Sequence, residues 1–152
     1  MRRLLIAMLV AVATLTAMAQ RSNCIYVEDF EIAPDSSAMV NVMLANNEIT
    51  RGFQFKMKLP EGLEVDDIEL TKHAKRQQMN VASNLTKGNW IVAVYPSSLT
   101  SFPTGTAAVL TIYFTALPQF EGGRITITKC MGSSEDNTTI YYDDSSTTVT
   151  VP

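Results

Sequence analysis

From residue 49 the chain reads ITRGFQFKMKLPEGLEV, and this stretch restricts the possible fold more than any other. Phe53, Phe55, Met57 and Leu59 alternate with Gln54, Lys56 and Lys58. A period of two places the apolar set on one face of a strand and the polar set on the other. Pro60-Glu61-Gly62 then ends the strand, because proline lacks a ladder donor and glycine tolerates a turn. Leu63 and Val65 resume the pattern. Such a strand buries one face against a second layer and shows the other to water, as in a β-sandwich.

The first nineteen residues read as a leader rather than as part of the fold. Arg2 and Arg3 are a basic start, Leu4 to Ala13 is an apolar run too short for a stable membrane span, and Ala17-Met18-Ala19 is an A-x-A cleavage site. Cleavage there predicts a mature protein of residues 20–152, secreted to the periplasm or beyond. Arg21 and Asn23 before Cys24 do not suit a lipid-attachment signal. Removing nineteen residues from 152 leaves 133, enough for a single domain with a real core. The leader holds two Arg and no acid, so the net charge moves from −3 to −5. An acidic chain without clustered Lys and Arg argues against nucleic acid. No later segment is apolar for long enough to insert in a membrane.

Cys24 and Cys130 are the two cysteines. An even count in an oxidising compartment permits a disulfide, and a first and a penultimate strand are often neighbours in sandwiches. The expectation is a Cys24–Cys130 disulfide, with two buried thiols as the alternative. The absence of CxxC gives redox catalysis no support.

The remaining chain reads as strand after strand. Ile25 to Ile32 ends at the turn cluster Ala33-Pro34-Asp35-Ser36-Ser37. Val40, Val42 and Leu44 alternate with Met39, Asn41 and Met43. Ile68 and Leu70 form a short piece, and residues 66–78 have room for one turn of helix. Met79 to Ser83 and Trp90 to Tyr95 form a hairpin around residues 84–89. Ala107 to Thr115 is a long strand with Ala108, Leu110, Ile112 and Phe114 on one face. Ile125 and Ile127 start another, and Thr147 to Val151 closes the chain. The fold class is all-β: a two-sheet antiparallel sandwich, or jelly roll, of about nine strands.

The order of these pieces, with FEIAP, VNVMLANN, ITRGFQFKMKLPEGLEV, WIVAVYPSS, GTAAVLTIYF and GRITITK, resembles the cohesin-like modules of secreted bacterial proteins. The resemblance spans nearly the whole mature chain. Its most specific blocks are GFQF…LPEGL and G…VLTIYF, whose residues face a core or make turns and so speak to fold, not to a site. It implies a jelly roll related to carbohydrate-binding modules. It also implies a non-catalytic role, binding the calcium-loaded dockerin modules of polysaccharide-degrading enzymes through one exposed sheet face.

The residues themselves offer little catalytic chemistry. His73 is the only histidine and lies in a polar connection, without the partners that a triad or a zinc site needs. Asp66-Asp67 and Asp143-Asp144 are adjacent carboxylates that point different ways, unlike the facing pair of a glycosidase. Ser134-Glu135-Asp136-Asn137 is a further acidic patch, but the EF-hand spacing is missing. No cofactor is indicated. Asn84-Leu85-Thr86 and Asn137-Thr138-Thr139 match the glycosylation sequon by chance in a chain of bacterial character.

Two binding readings follow. A protein partner, dockerin-like and acidic, would meet the stripe of Gln54, Lys56 and Lys58 with Tyr95 beside it. A polysaccharide would instead stack on exposed aromatics among Trp90, Tyr95, Phe102, Tyr113, Tyr141 and Tyr142. Trp90 shares parity with Val92 and Val94 and is expected in the core. Tyr95 shares parity with Ile91 and Ala93, a set that the resemblance places outward, and Tyr113, with the parity of Thr111, is expected outside. The loop of residues 96–105, with Leu99 and Phe102 among Ser and Thr, is a second contact candidate. The plain alternative is that Lys56 and Lys58 only keep a solvated sheet face soluble.

Overall fold

The computed structural model describes residues 23–152, so the leader and its cleavage site lie outside the described residues. Eleven strands and one short helix follow: β1 (Cys24–Val27), β2 (Phe30–Glu31), β3 (Ser36–Asn46), β4 (Thr50–Lys58), β5 (Leu63–Leu70), α1 (Lys72–Arg76), β6 (Met79–Thr86), β7 (Asn89–Pro96), β8 (Gly105–Ala116), β9 (Gly123–Ser134), β10 (Thr139–Tyr141) and β11 (Ser145–Thr150). The smaller sheet has the order β1-β3-β8-β5. The larger has β2-β11-β9-β4-β7-β6, with β10 also paired to β9. Strand pairings are antiparallel except between β2 and β11. The expected two-layer sandwich is therefore what forms.

Two strands exceed the nine expected. The first expected strand is split, because Glu28-Asp29 carries the chain from the smaller sheet to the larger. Asp29 Oδ1 accepts the Thr148 N–H at 2.8 Å there, replacing a ladder bond with a side-chain one. The other addition is β10, which folds back on β9 after a turn with Asn137 at φ 63°.

The inward rows of the two sheets meet in one core that includes Phe55, Met57, Leu110, Ile112, Phe114, Ile125 and Ile127, all with at most 2% exposure. Each such side chain removed from water contributes about 1.5–3 kcal/mol. Alternation along β4 and β7 follows the sequence pattern, with Trp90 half-buried against the core. Along β8 it departs from expectation. The ladder with β3 slips between Val42 and Met43, leaving Val109 as the extra residue of a bulge. Leu44 faces inward and pairs with Ala107, so Ala107 replaces Ala108 in the inward row. A bulge flips the parity of all that precedes it, which a strict two-residue pattern misses.

The helix expected within residues 66–78 is α1. Thr71 caps it by accepting the Ala74 N–H at 3.3 Å, and Gln78 at φ 55° follows its end. The β6–β7 hairpin is tighter than expected. Its turn is Lys87-Gly88, at φ 51° and 79°, and the strands run directly into it. Positive φ at both central residues matches the right-handed twist of the flanking strands.

Candidate partner-binding face

The ladders of the larger sheet set its outward residues in rows across the strands. Tyr141, Met131, Gln54, Ala93 and Ala82 form one row over β10, β9, β4, β7 and β6. Thr128, Lys56, Ile91 and Asn84 form another, and Thr126, Lys58, Asn89 and Thr86 the next. Tyr95 lies outward opposite Asn80. Gln54, Lys56, Lys58 and Tyr95 thus share one face, with Gln54 and Lys58 exposed and Tyr95 46% exposed.

Charge is sorted by sheet. Strands β4, β6, β7 and β9 contain Arg51, Lys56, Lys58, Arg124 and Lys129 and no carboxylate, and Glu31 on the edge strand β2 is the one acid of the larger sheet. The smaller sheet holds no base, and its edge strand β5 carries Glu64, Asp66, Asp67 and Glu69. On that opposite side Tyr113 donates to Glu69 at 3.1 Å, and the carboxylate raises the phenol's pKa. Asp66 accepts a bond from Thr115.

At one end of the larger sheet's outer face lies an open groove of about 510 Å³, lined by Arg51, Gln54, Tyr95, Leu99, Met131 and Asn137 among others. Its lining includes no carboxylate and one base, Arg51. Beneath it β4 and β9 approach closely through Gly52 and Gly132. A Cβ on Gly132 would fall 2.7 Å from the Gly52 carbonyl oxygen. One wall is the hairpin between β9 and β10. Asp136 braces it, accepting bonds from the Ser134 and Thr138 hydroxyls, which hold its carboxyl below the usual carboxylate range. The other wall is the loop after β7, with Leu99 90% exposed at its tip.

Phe102 corrects the expectation for that loop. It is buried, not a contact at the tip. Two backbone bonds, Phe102 N–H to Thr50 at 2.7 Å and Thr50 N–H to Phe102 at 3.1 Å, tie it to the start of β4. Its ring lies 5.8 Å from that of Phe53 and 6.0 Å from the imidazole of His73. His73 is accordingly half-buried on α1 rather than a fully solvated residue. Of the other aromatic candidates, Tyr142 is buried, Tyr141 is 74% exposed on the larger sheet, and Tyr113 is half-buried on the smaller.

The cysteines also differ from expectation: the structure holds thiols at Cys24 and Cys130, not a disulfide. The two are brought into one neighbourhood, since Tyr142 N–H bonds the Cys130 carbonyl and Asp143 bridges to Cys24. The Cys130 thiol, however, is pushed up to about 12, first by burial and then by Asp144 and Cys24. A thiol that stays protonated is a poor nucleophile for exchange.

Sequence reasoning set Ile91 outward with Tyr95 but missed Arg51, Met131 and Arg124 as members of the face. Met131 is hidden by a second bulge, between Gln54 and Lys56 on the β4 side, with Lys129 at φ 51°. The others need the ladder register. Among the described residues, no three His, Cys, Asp or Glu side chains gather as metal ligands, and no helix is long and apolar enough to cross a membrane.

No protein-family model matches the chain, and no curated protein matches it either. Solved structures do. The sixth cohesin of Acetivibrio cellulolyticus scaffoldin B, in complex with a Cel5 dockerin mutant, superposes with a TM-score of 0.70 at 13% identity, over 87% of this chain and 100% of that one. The cohesin of the OlpA–Doc918 complex from Clostridium thermocellum gives 0.69 at 12%, over 85% and 98%. A cohesin module from a Clostridium perfringens family 33 glycoside hydrolase gives 0.65 at 12%, over 84% and 95%. The fold is a cohesin-like β-sandwich.

Proposed function

We propose that this protein is a secreted, non-catalytic module that binds another protein through the outer face of its larger sheet. The reading rests on one observation: Lys56, Lys58 and Arg124 stand on a face whose four central strands contain no carboxylate, beside a groove with exposed Tyr95 and Leu99. Such a face draws an acidic partner by Coulomb attraction and gives it aromatic and aliphatic anchors. The structural neighbours crystallised with dockerins favour a dockerin-like partner. Export by cleavage after Ala19, as a single domain of residues 20–152, fits that role and a link to extracellular polysaccharide degradation.

The test is association of purified, calcium-loaded dockerin modules with the wild type and with K56E/K58E. The double variant should fold normally and associate about tenfold more slowly at low salt, the difference shrinking as salt rises. Equal rates would move the site off this face. If no dockerin binds but a glycan array is positive, and Tyr95→Ala or Tyr141→Ala abolishes that signal, the carbohydrate reading replaces this one.

A further inference from the structure

We infer that the protein has a second interaction surface, the free edge of β6, and that its occupant is the β6 edge of a second copy of the chain. An edge strand presents unpaired N–H and C=O groups, and proteins close such edges in recognisable ways. The other edges here are closed. The carbonyls of Ile25 and Val27 on β1 accept the hydroxyls of Ser145 and Thr147, at 2.7 and 2.8 Å. Strand β2 has two residues and β10 three. Strand β5 carries four carboxylates and a register break between Val65 and Asp67.

Among the described residues, strand β6 has none of these devices. It runs for eight residues, MNVASNLT, without a charge or a proline. Its inward row is also left uncovered towards the turn. Leu85, paired with Trp90, is 56% exposed. Backbone groups in a row select an extended strand, and the side chains select which strand. A two-fold axis perpendicular to the sheet would set β6 antiparallel to itself. Residues of equal parity then face one another. With Ser83 on the axis, Leu85 of one copy lies against Val81 of the other. An edge bearing charge near its centre would suffer like-charge repulsion in such a symmetric pair, as β5 would. The neutrality of β6 is what admits a copy of itself. The contact is small for a stable interface, so the dimer is weak and concentration-dependent. It leaves the basic face and its groove open on both copies and is independent of their proposed role.

Sedimentation equilibrium over a concentration series, on wild type and Ser83→Lys, tests this. The wild type should move from the monomer mass towards twice that mass. Ser83→Lys, with two ammonium groups meeting on the axis, should stay monomeric with an unchanged far-UV spectrum. Ser83→Cys should cross-link to a covalent dimer under mild oxidation. Hydrogen exchange of the wild type should slow at β6 amides, and not at β5 amides, as concentration rises. A wild type that is monomeric throughout, or a Ser83→Lys variant that dimerises like the wild type, overturns the proposal. So does β6 protection that arises only when an extended peptide of another sequence is added.

Discussion

Thr50 and Tyr142 share a hydrogen bond of 2.7 Å between their hydroxyls, closed off from water at one end of the sandwich. The direction of the bond follows from proton counting. Thr50 Oγ1 donates its single proton to the Glu48 carbonyl at 3.1 Å, so Tyr142 donates to Thr50. Asn46, also buried, donates to Glu48 and Pro103 carbonyls beside them. The start of β4, the segment before β11 and the loop after β7 are thereby held together. This is also the end of the sandwich where the groove opens.

The two partners of this bond are not equivalent to mutation. Tyr142→Phe removes a donor and leaves Thr50 its bond to Glu48, at a cost of about 1 kcal/mol. Thr50→Val leaves the buried Tyr142 hydroxyl without its acceptor, while the Glu48 carbonyl keeps Asn46, at a cost of about 2–3 kcal/mol. Urea unfolding of both variants checks the order, and a larger loss for Tyr142→Phe would reverse the assigned direction.

Alkaline pH should destabilise the fold through Cys130. Its pKa rises from 9.0 to about 12 on folding. A raised pKa means that the unfolded chain loses its proton first. The associated stability is fully present below pH 9 and is lost as pH climbs towards 12. Tyr142, raised from 10.0 chiefly by burial, acts in the same sense above pH 10. Cys130→Ala should flatten the fall in unfolding free energy between pH 9 and 12. In the folded wild type at pH 8, the Cys130 thiol should resist alkylation until denaturant is added. Rapid labelling without denaturant would contradict its burial.

Phe102→Ala should behave as a core deletion, losing about 3–5 kcal/mol. Were Phe102 a loop-tip contact, the same change would leave the melting temperature nearly untouched. Leu99→Ala provides the internal comparison, since Leu99 is 90% exposed. It should shift melting little.

Gly132→Ala should destabilise through overpacking, by about 1–3 kcal/mol. Its new methyl would meet the Gly52 carbonyl oxygen at 2.7 Å and the Tyr142 ring at 3.0 Å. Backbone on one side and a buried ring on the other give it no easy escape. Chemical denaturation measures the loss.

What could be read from the sequence was whatever obeys a period of two. The inward rows of β4 and β7, and the outward placement of Gln54, Lys56 and Lys58, follow from alternation alone, and the resemblance adds Tyr95. The misreadings mark places where one residue breaks the count or a distant bond decides. Val109 bulges and moves Ala107 inward. Lys129 bulges and hides Met131. Phe102 is buried because Thr50, 52 residues earlier in the chain, holds its backbone. Ladder register and long-range pairing carry that information, and local pattern does not.

The sorting of strand charge between the sheets gives the domain a dipole component across the sandwich, positive on the larger sheet and negative on β5, to which the charges of α1 and the loops add. A dipole experiences torque as well as attraction. A charged body within a Debye length, roughly 8 Å at physiological salt, would turn this molecule before touching it. On an anionic surface it would settle with the groove facing down, and on a cationic one with the groove facing out. The strand order thus supplies one built-in contribution to its orientation on a charged support, and the sign of that support reverses it.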